Sequence, residues 1–94
     1  MSHDLSRFLA HLDALPRGYG EGTFEGRRYG VTVRASEDGK RGWLFGEELG
    51  GTDRVSCNIY RLGGGRARLL PCEMPTEKVV AFGLGFVPDA RPNP

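Results

Sequence analysis

Residues 53–74 read DRVSCNIYRLGGGRARLLPCEM. Two apolar-rich runs flank Gly63, Gly64 and Gly65. A Gly-Gly pair suits a two-residue hairpin turn, because both central residues need positive φ and glycine takes it without strain. With Gly64 and Gly65 as the turn, Gly63 faces Arg66. Counting outward, Arg61 faces Arg68, Ile59 faces Leu70, Cys57 faces Cys72 and Val55 faces Met74. Side chains alternate between the faces of a strand, so Val55, Cys57, Ile59, Leu70, Cys72 and Met74 form one apolar face. A three-residue loop slips the register by one and puts Ala67, Leu69 and Pro71 on that face instead. The two-residue turn gives the more uniform face and is preferred.

Upstream, Tyr29, Val31, Val33 and Ala35 alternate with Gly30, Thr32 and Arg34, the period-two pattern of a half-buried strand. It follows a short strand, Thr23 to Glu25, with a reversal near Gly26. Ser36 to Lys40 is a turn, in which Asp38 and Gly39 fit a three-residue loop with a bulge. That loop sets Val33 opposite Trp43 and Val31 opposite Phe45, all four on one face. Gly50-Gly51 makes a further turn between Glu47-Glu48 and Asp53.

At the start of the chain, Leu5, Phe8, Leu9, Leu12 and Leu15 recur at helical spacing, predicting an amphipathic helix over Ser2 to Leu15. Ser2 or Asp4 can cap it, and Pro16 with Gly18 ends it. His11 and Asp13 lie off the apolar stripe, so His11 is expected in solvent. The following GYGEG, residues 18–22, resembles a phosphate-binding loop in composition only. Such a loop sits between a strand and a helix, whereas here a helix precedes and a strand follows. Near the end, Thr76 and Glu77 open a second predicted helix whose stripe is Val79, Val80, Gly83 and Phe86. A strand over Val79 to Val87 is the alternative.

The expected fold is thus a two-layer α+β domain over residues 1–87. A four- to five-stranded antiparallel meander carries an N-terminal and a C-terminal helix on one face. Residues 88–94 form a flexible polar tail. The uncovered sheet face then holds Tyr60, Leu62, Leu69, Thr32, Arg34, Ser56 and Asn58, and is the natural place for a partner.

The 94 residues carry 13 basic and 12 acidic side chains, a formal charge of +1. That balance argues against a protein held to nucleic acid by net charge. No apolar stretch approaches the ~20 residues of a membrane span, and no basic segment followed by an apolar run marks a secretory signal. Cytoplasm is the expected location, with reduced cysteines.

Three constellations carry candidate chemistry. Cys57 and Cys72, if opposed under the helices, are core thiols whose burial silences them. Glu47, Glu48 and Asp53 bring carboxylates together, but no further Asp, Glu or His lies close in sequence to complete an acid–base or metal site. Arg54, Arg61, Arg66 and Arg68 fall in a run without an acid. If Arg61 and Arg68 face each other they repel, unless an anion sits between them. With Tyr60 nearby, a nucleic-acid or phosphorylated partner fits this pattern.

LDALPRGY (12–19), FEGRRYGVT (24–32), EELGGTD (47–53), NIYRL (58–62) and PCEMP (71–75) together resemble a family of short bacterial proteins of uncharacterised role. That family is loosely associated with a methionine sulfoxide reductase label. The resemblance implies a thiol-dependent reductase using Cys57. Arg54-Val-Ser-Cys57-Asn58 approximates the Arg-x-Cys-x-Asn context of one reductase class, while the Gly-Cys-Phe-Trp of the other class and the zinc-binding Cys-x-x-Cys pairs do not occur.

The leading expectation is a small non-catalytic binding or protein-interaction module without cofactor or metal. Its partner is a protein or an anionic ligand, and its binding residues are Arg34, Tyr60, Arg61, Arg66 and Arg68. The alternatives are the reductase, with Cys57 alone or with Cys72, and a nucleic-acid-binding domain.

Overall fold

The structure, a computed structural model, describes residues 2–89. Helix α1 spans Ser2–Ala14 and α2 spans Thr76–Gly85. Six strands accompany them: β1 Gly18–Phe24, β2 Arg27–Ala35, β3 Arg41–Glu48, β4 Arg54–Gly63, β5 Arg66–Pro71 and β6 Val87–Pro88. They form one antiparallel sheet in the order β5-β4-β3-β2-β1-β6. The α+β class with an antiparallel sheet is as expected; six strands replace the expected four to five.

The additional pairing comes from the glycine-rich stretch. Gly18 to Gly22 has no apolar alternation, so nothing in its side chains announces a strand. The turn supplies the register instead. Glu25 and Gly26 both have positive φ, 51° and 77°, which is the mirror-image turn whose twist matches a hairpin. It locks Phe24 onto Arg27 and continues to Gly18 opposite Val33. Strand β6 then adds to the far side of β1 through Gly22–Pro88 and Thr23–Val87. Beyond it, the Asp89 N–H donates to the Glu21 carbonyl at 3.0 Å. The Arg28 guanidinium grips the Asp89 carboxylate with two bonds of 2.8 and 2.7 Å. Pro88 and Asp89 are therefore held to the sheet, and residues 90–94 of the expected tail lie outside the described residues.

One core cluster joins Phe8 and Leu12 of α1 and Val79 and Phe82 of α2 to Tyr29, Val31, Val33, Leu44, Val55, Cys57 and Ile59 of the strands. Leu5, Leu9 and Leu15 pack partly buried against it, which accounts for the whole α1 stripe. Capping by Ser2 falls on a side chain outside those described. At α2 the cap position is Pro75, with no side-chain cap bond, so Thr76 is the first helical residue rather than the cap. The two helices approach closely: a Cβ on Gly83 would collide with the Phe8 ring. Four rings knit the centre, with Phe82 at 4.9 Å from Phe24, 5.0 Å from Tyr29 and 5.3 Å from Phe86.

A bulge beside one turn and the length of another turn each differ from expectation by one residue, and both differences move side chains across the sheet. Gly64 and Gly65 do form the β4–β5 turn, with φ of 63° and 76°, and Gly63 does face Arg66. A bulge between Arg61 and Gly63 then absorbs Leu62, so Arg61 pairs with Ala67, Ile59 with Leu69 and Cys57 with Pro71. A bulge puts two residues opposite one and shifts everything beyond it. The inner face of β5 is therefore Ala67, Leu69 and Pro71, while Leu70 is exposed and Cys72 does not join the core. The proposed Cys57–Cys72 and Arg61–Arg68 pairs do not exist.

The β2–β3 loop is one residue longer than expected. Ser36 N donates to the Arg41 carbonyl at 2.8 Å, closing four residues, Glu37 to Lys40. The Asp38 carboxylate bridges the loop, accepting from Ser36 Oγ at 2.7 Å and from the Lys40 N–H at 2.9 Å. Val33 consequently faces Leu44 and Val31 faces Gly46. Trp43 and Phe45 fall on the other face, with Thr32 and Arg34.

Candidate functional site

The face of the sheet away from the core cluster is built by the second alternating set. Its rows follow from the register. Thr32, Phe45 and Ser56 lie side by side, as do Arg34, Trp43, Asn58 and Leu70, and Arg41, Tyr60 and Arg68. Tyr19 continues the first row on β1, opposite Thr32. Trp43 is 39% exposed and Phe45 42%, on an interior strand. Exposed aromatics of this size, grouped on one face, are unusual on a surface with no partner.

Cations surround these rings. Arg41 places its guanidinium carbon 5.8 Å from the centre of the Trp43 ring, a cation–π distance. Arg34, Arg41, Arg66 and Arg68 have no acidic partner within ion-pair distance among the described residues. A shallow hollow of about 950 Å³ includes Arg17, Arg34 and Arg41 with Tyr19, Trp43 and the loop acid Glu37 in its lining. A smaller one of about 400 Å³ lies between Thr32, Arg34, Trp43 and Phe45. The acids of this face sit toward its other end. Glu21 receives Arg28 at 3.4 Å, and Glu47 stands across from Arg54.

The expected binding residues thus divide. Arg34, Tyr60 and Arg68 are brought onto the open face, and Arg66 sits exposed at the hairpin end. Arg61 is not with them: its guanidinium pairs with Asp13 of α1 at 2.7 Å, which ties the hairpin to the helix. Leu69 leaves the open face for the core side, and Leu70 replaces it. Trp43, Phe45, Tyr19 and Arg41 were not among the expected site residues. The usable signal was Gly42-Trp43-Leu44-Phe45-Gly46, where small residues flank one leucine on the face that a helix must approach.

The other candidates resolve locally. Cys57 is 2% exposed, and burial pushes its thiol up to about 12. Cys72 is exposed, and both cysteines are free. His11 is exposed on α1. Asp53 is taken up in a tie between layers: the Tyr29 hydroxyl donates to Oδ2 at 2.6 Å and Lys78 Nζ donates to Oδ1 at 2.7 Å. The Lys78 bond, then the Tyr29 bond, hold this carboxyl below its ordinary value. Burial first, and the Asp53 bond second, push the Tyr29 phenol up to about 12. Glu48 lies 3.7 Å from Arg27 and turns Oε1 toward the Asp53 N–H. Among the described residues no group of three or more His, Cys, Asp or Glu is placed to hold a metal ion, and no helix is long and apolar enough to cross a membrane.

Family models, curated proteins and solved structures were compared with the chain, and none matches it. The open face must therefore be interpreted from its own chemistry.

Proposed function

We propose that this protein is a non-catalytic binding module that holds an anionic partner on the open face of its sheet. The observation that carries this reading is the set of unpaired arginines, Arg34, Arg41 and Arg68, standing in the same rows as exposed Trp43 and half-buried Tyr60. Three other arginines meet acids: Arg28 has Asp89 and Glu21, Arg61 has Asp13, and Arg27 has Glu48. Like charges left unpaired on one face repel and gain from an anion placed among them. Rings beside them add apolar contact and cation–π attraction for a ligand with planar groups.

The thiol-reductase alternative draws less support. A nucleophilic cysteine needs access and a depressed pKa. Cys57 is buried and its thiol is pushed up to about 12, while Cys72 is exposed and faces away from the core.

The test is retention on immobilised heparin. The wild-type protein is expected to bind at low salt. Replacing Arg34, Arg41 and Arg68 together by Gln should release it at clearly lower salt with the melting temperature held within a few degrees. Equal elution of the two proteins would remove the open face as the anion site.

A further inference from the structure

We propose that the partner is single-stranded nucleic acid, its bases stacking on Trp43, Phe45 and Tyr60 while Arg34, Arg41 and Arg68 meet its phosphates. This rests on the open face being an anion-binding surface, and adds the identity of the anion.

Spacing and width lead to the single strand. Trp43 and Phe45 are two residues apart on one strand, so their rings stand about 7 Å apart. Stacked bases in a duplex are about 3.4 Å apart along each strand. Two rings at the wider spacing can take bases only from a strand whose bases are splayed. A duplex also cannot bring its grooves to them. Strands β2 to β5 span about 14 Å at the usual strand spacing, more than the about 12 Å major groove that admits a two-stranded ribbon. Trp43 and Phe45 sit on β3, inside that span.

The chemistry of the rows suits the rest of a nucleotide. Arg34 and Trp43 are direct neighbours across β2–β3, and Arg41, Tyr60 and Arg68 are direct neighbours across β3–β4–β5. Trp43 and Tyr60 thus have a guanidinium beside them, and Phe45 shares a hollow with Arg34, the combination of stacking platform and backbone-tracking cation that binds single strands with little sequence preference. Asn58 and Ser56, between the rings and β5, offer donors and acceptors to base edges. Three rings correspond to about three bases, the number that aromatics on a four-stranded sheet engage elsewhere. The formal charge of +1 does not oppose this: Glu21 and Glu47 lie in the row next to Phe45, on the side away from Arg34, Arg41 and Arg68, Glu21 is engaged by Arg28, and the Asp38 carboxylate is occupied within its own loop. Glu37 is the one acid lining the larger hollow beside these rows.

The experiment uses the full chain, fluorescein-labelled oligouridylate and oligothymidylate of ten nucleotides, and the protein's single tryptophan, Trp43. Both oligonucleotides should raise anisotropy and quench Trp43, with affinity falling steeply as salt rises. Trp43→Leu and Phe45→Leu should each weaken oligonucleotide binding by about tenfold while leaving heparin retention and the melting temperature nearly unchanged. A ten-base-pair duplex should compete poorly. No quench and no anisotropy change at low salt, with arginine-dependent heparin binding retained, overturns the nucleic-acid assignment and leaves the anion-binding module standing. Loss of heparin binding as well ends both. Duplex competing as strongly as the single strand, or polyglutamate competing as strongly as oligouridylate, overturns the assignment in favour of a duplex or an acidic protein.

Discussion

On its covered side β3 presents Gly42, Leu44 and Gly46; on its open side it presents Arg41, Trp43, Phe45 and Glu47. The larger apolar rings are the ones left outside. The covered side has no room for them, because α2 lies close. A Cβ on Gly46 would come within 3.1 Å of the Phe82 ring, so even a methyl there forces that ring to shift. The core takes its rings from the helices, from β1 and β2 and from Phe86 just after α2, and uses β3 as floor. Side-chain size alone therefore misassigns the two faces of this strand. What separates them is how closely a helix approaches, and on the other side the arginines that frame the rings.

Truncating one ring on each side separates the two faces most clearly. Phe82 is 1% exposed and touches three other rings. Phe82→Ala should cost about 3–5 kcal/mol, a fall in melting temperature of about 15 °C or more in a chain of this size. Phe45→Ala should cost about 1 kcal/mol or less, since the ring is 42% exposed and its loss opens no cavity. Equal losses, read by thermal unfolding, would mean that the outer rings belong to a core.

The two cysteines divide the same way, and pH exposes the difference. The Cys57 thiol is raised from 9.0 to about 12 by burial. A group whose folded pKa lies above its unfolded value stabilises fully below the unfolded value and loses that contribution as pH rises through the folded one. Stability should therefore fall from about pH 9 toward pH 12, by roughly a few kcal/mol. The Tyr29 phenol, raised from 10.0 to about 12, steepens the same limb. Cys57→Ala should remove the part of the fall that begins at pH 9, as followed by denaturant melts across pH. At neutral pH iodoacetamide should modify Cys72 in the native protein and Cys57 only after unfolding. Native labelling of Cys57 would revive a reactive thiol.

Much of this division was legible in the sequence. The α1 stripe, the alternation of Tyr29, Val31 and Val33, the parity of β4 and the Gly64-Gly65 reversal all come from local pattern and turn chemistry. They stand because none depends on a residue count across a loop. What failed depended on such counts. One bulge residue, Leu62, separated Cys57 from Cys72 and Arg61 from Arg68. One extra loop residue turned Trp43 and Phe45 outward. Of β1 only the Thr23–Phe24 end was legible, for another reason: Gly18, Gly20 and Gly22 carry no side chain to show a period. Of the open face, Arg34 was placed by the β2 alternation, Tyr60 by that of β4 and Arg68 by the arginine run. Trp43, Phe45 and Arg41 were not, because the three-residue loop count put the side chains of β3 on the wrong faces.

A smaller effect tests the tie between α2 and the sheet edge. Asp53 links Tyr29 and Lys78. Asp53→Asn keeps an acceptor for the phenol and loses the charge facing Lys78, which should cost about 1 kcal/mol at neutral pH. The sign with pH is definite. This carboxyl is held below its ordinary 3.8, so its stabilisation is present above that value and disappears as pH falls through the depressed one. Wild type and variant should differ at pH 7 and converge below about pH 4 in urea melts. A gap that persists in acid would mean that Asp53 acts by shape rather than charge.

The smallest effect contrasts two glycines that share β1 and a face. At Gly22 a Cβ would collide with the Val87 carbonyl and lie 2.6 Å from the Phe86 ring, so alanine there must push β6 off the edge. At Gly20 a Cβ meets nothing within 4 Å, and the backbone lies outside the left-handed region. Glycine at Gly20 brings only the entropy loss of ordering a freer unfolded chain. Gly20→Ala should therefore stabilise by about 0.5–1 kcal/mol, while Gly22→Ala destabilises. Both can be read from urea midpoints at constant slope. The sign reversal across one intervening residue follows from β6 covering only the Gly22 end of β1. Destabilisation by both substitutions would mean that a side chain or backbone atom does occupy the space over Gly20.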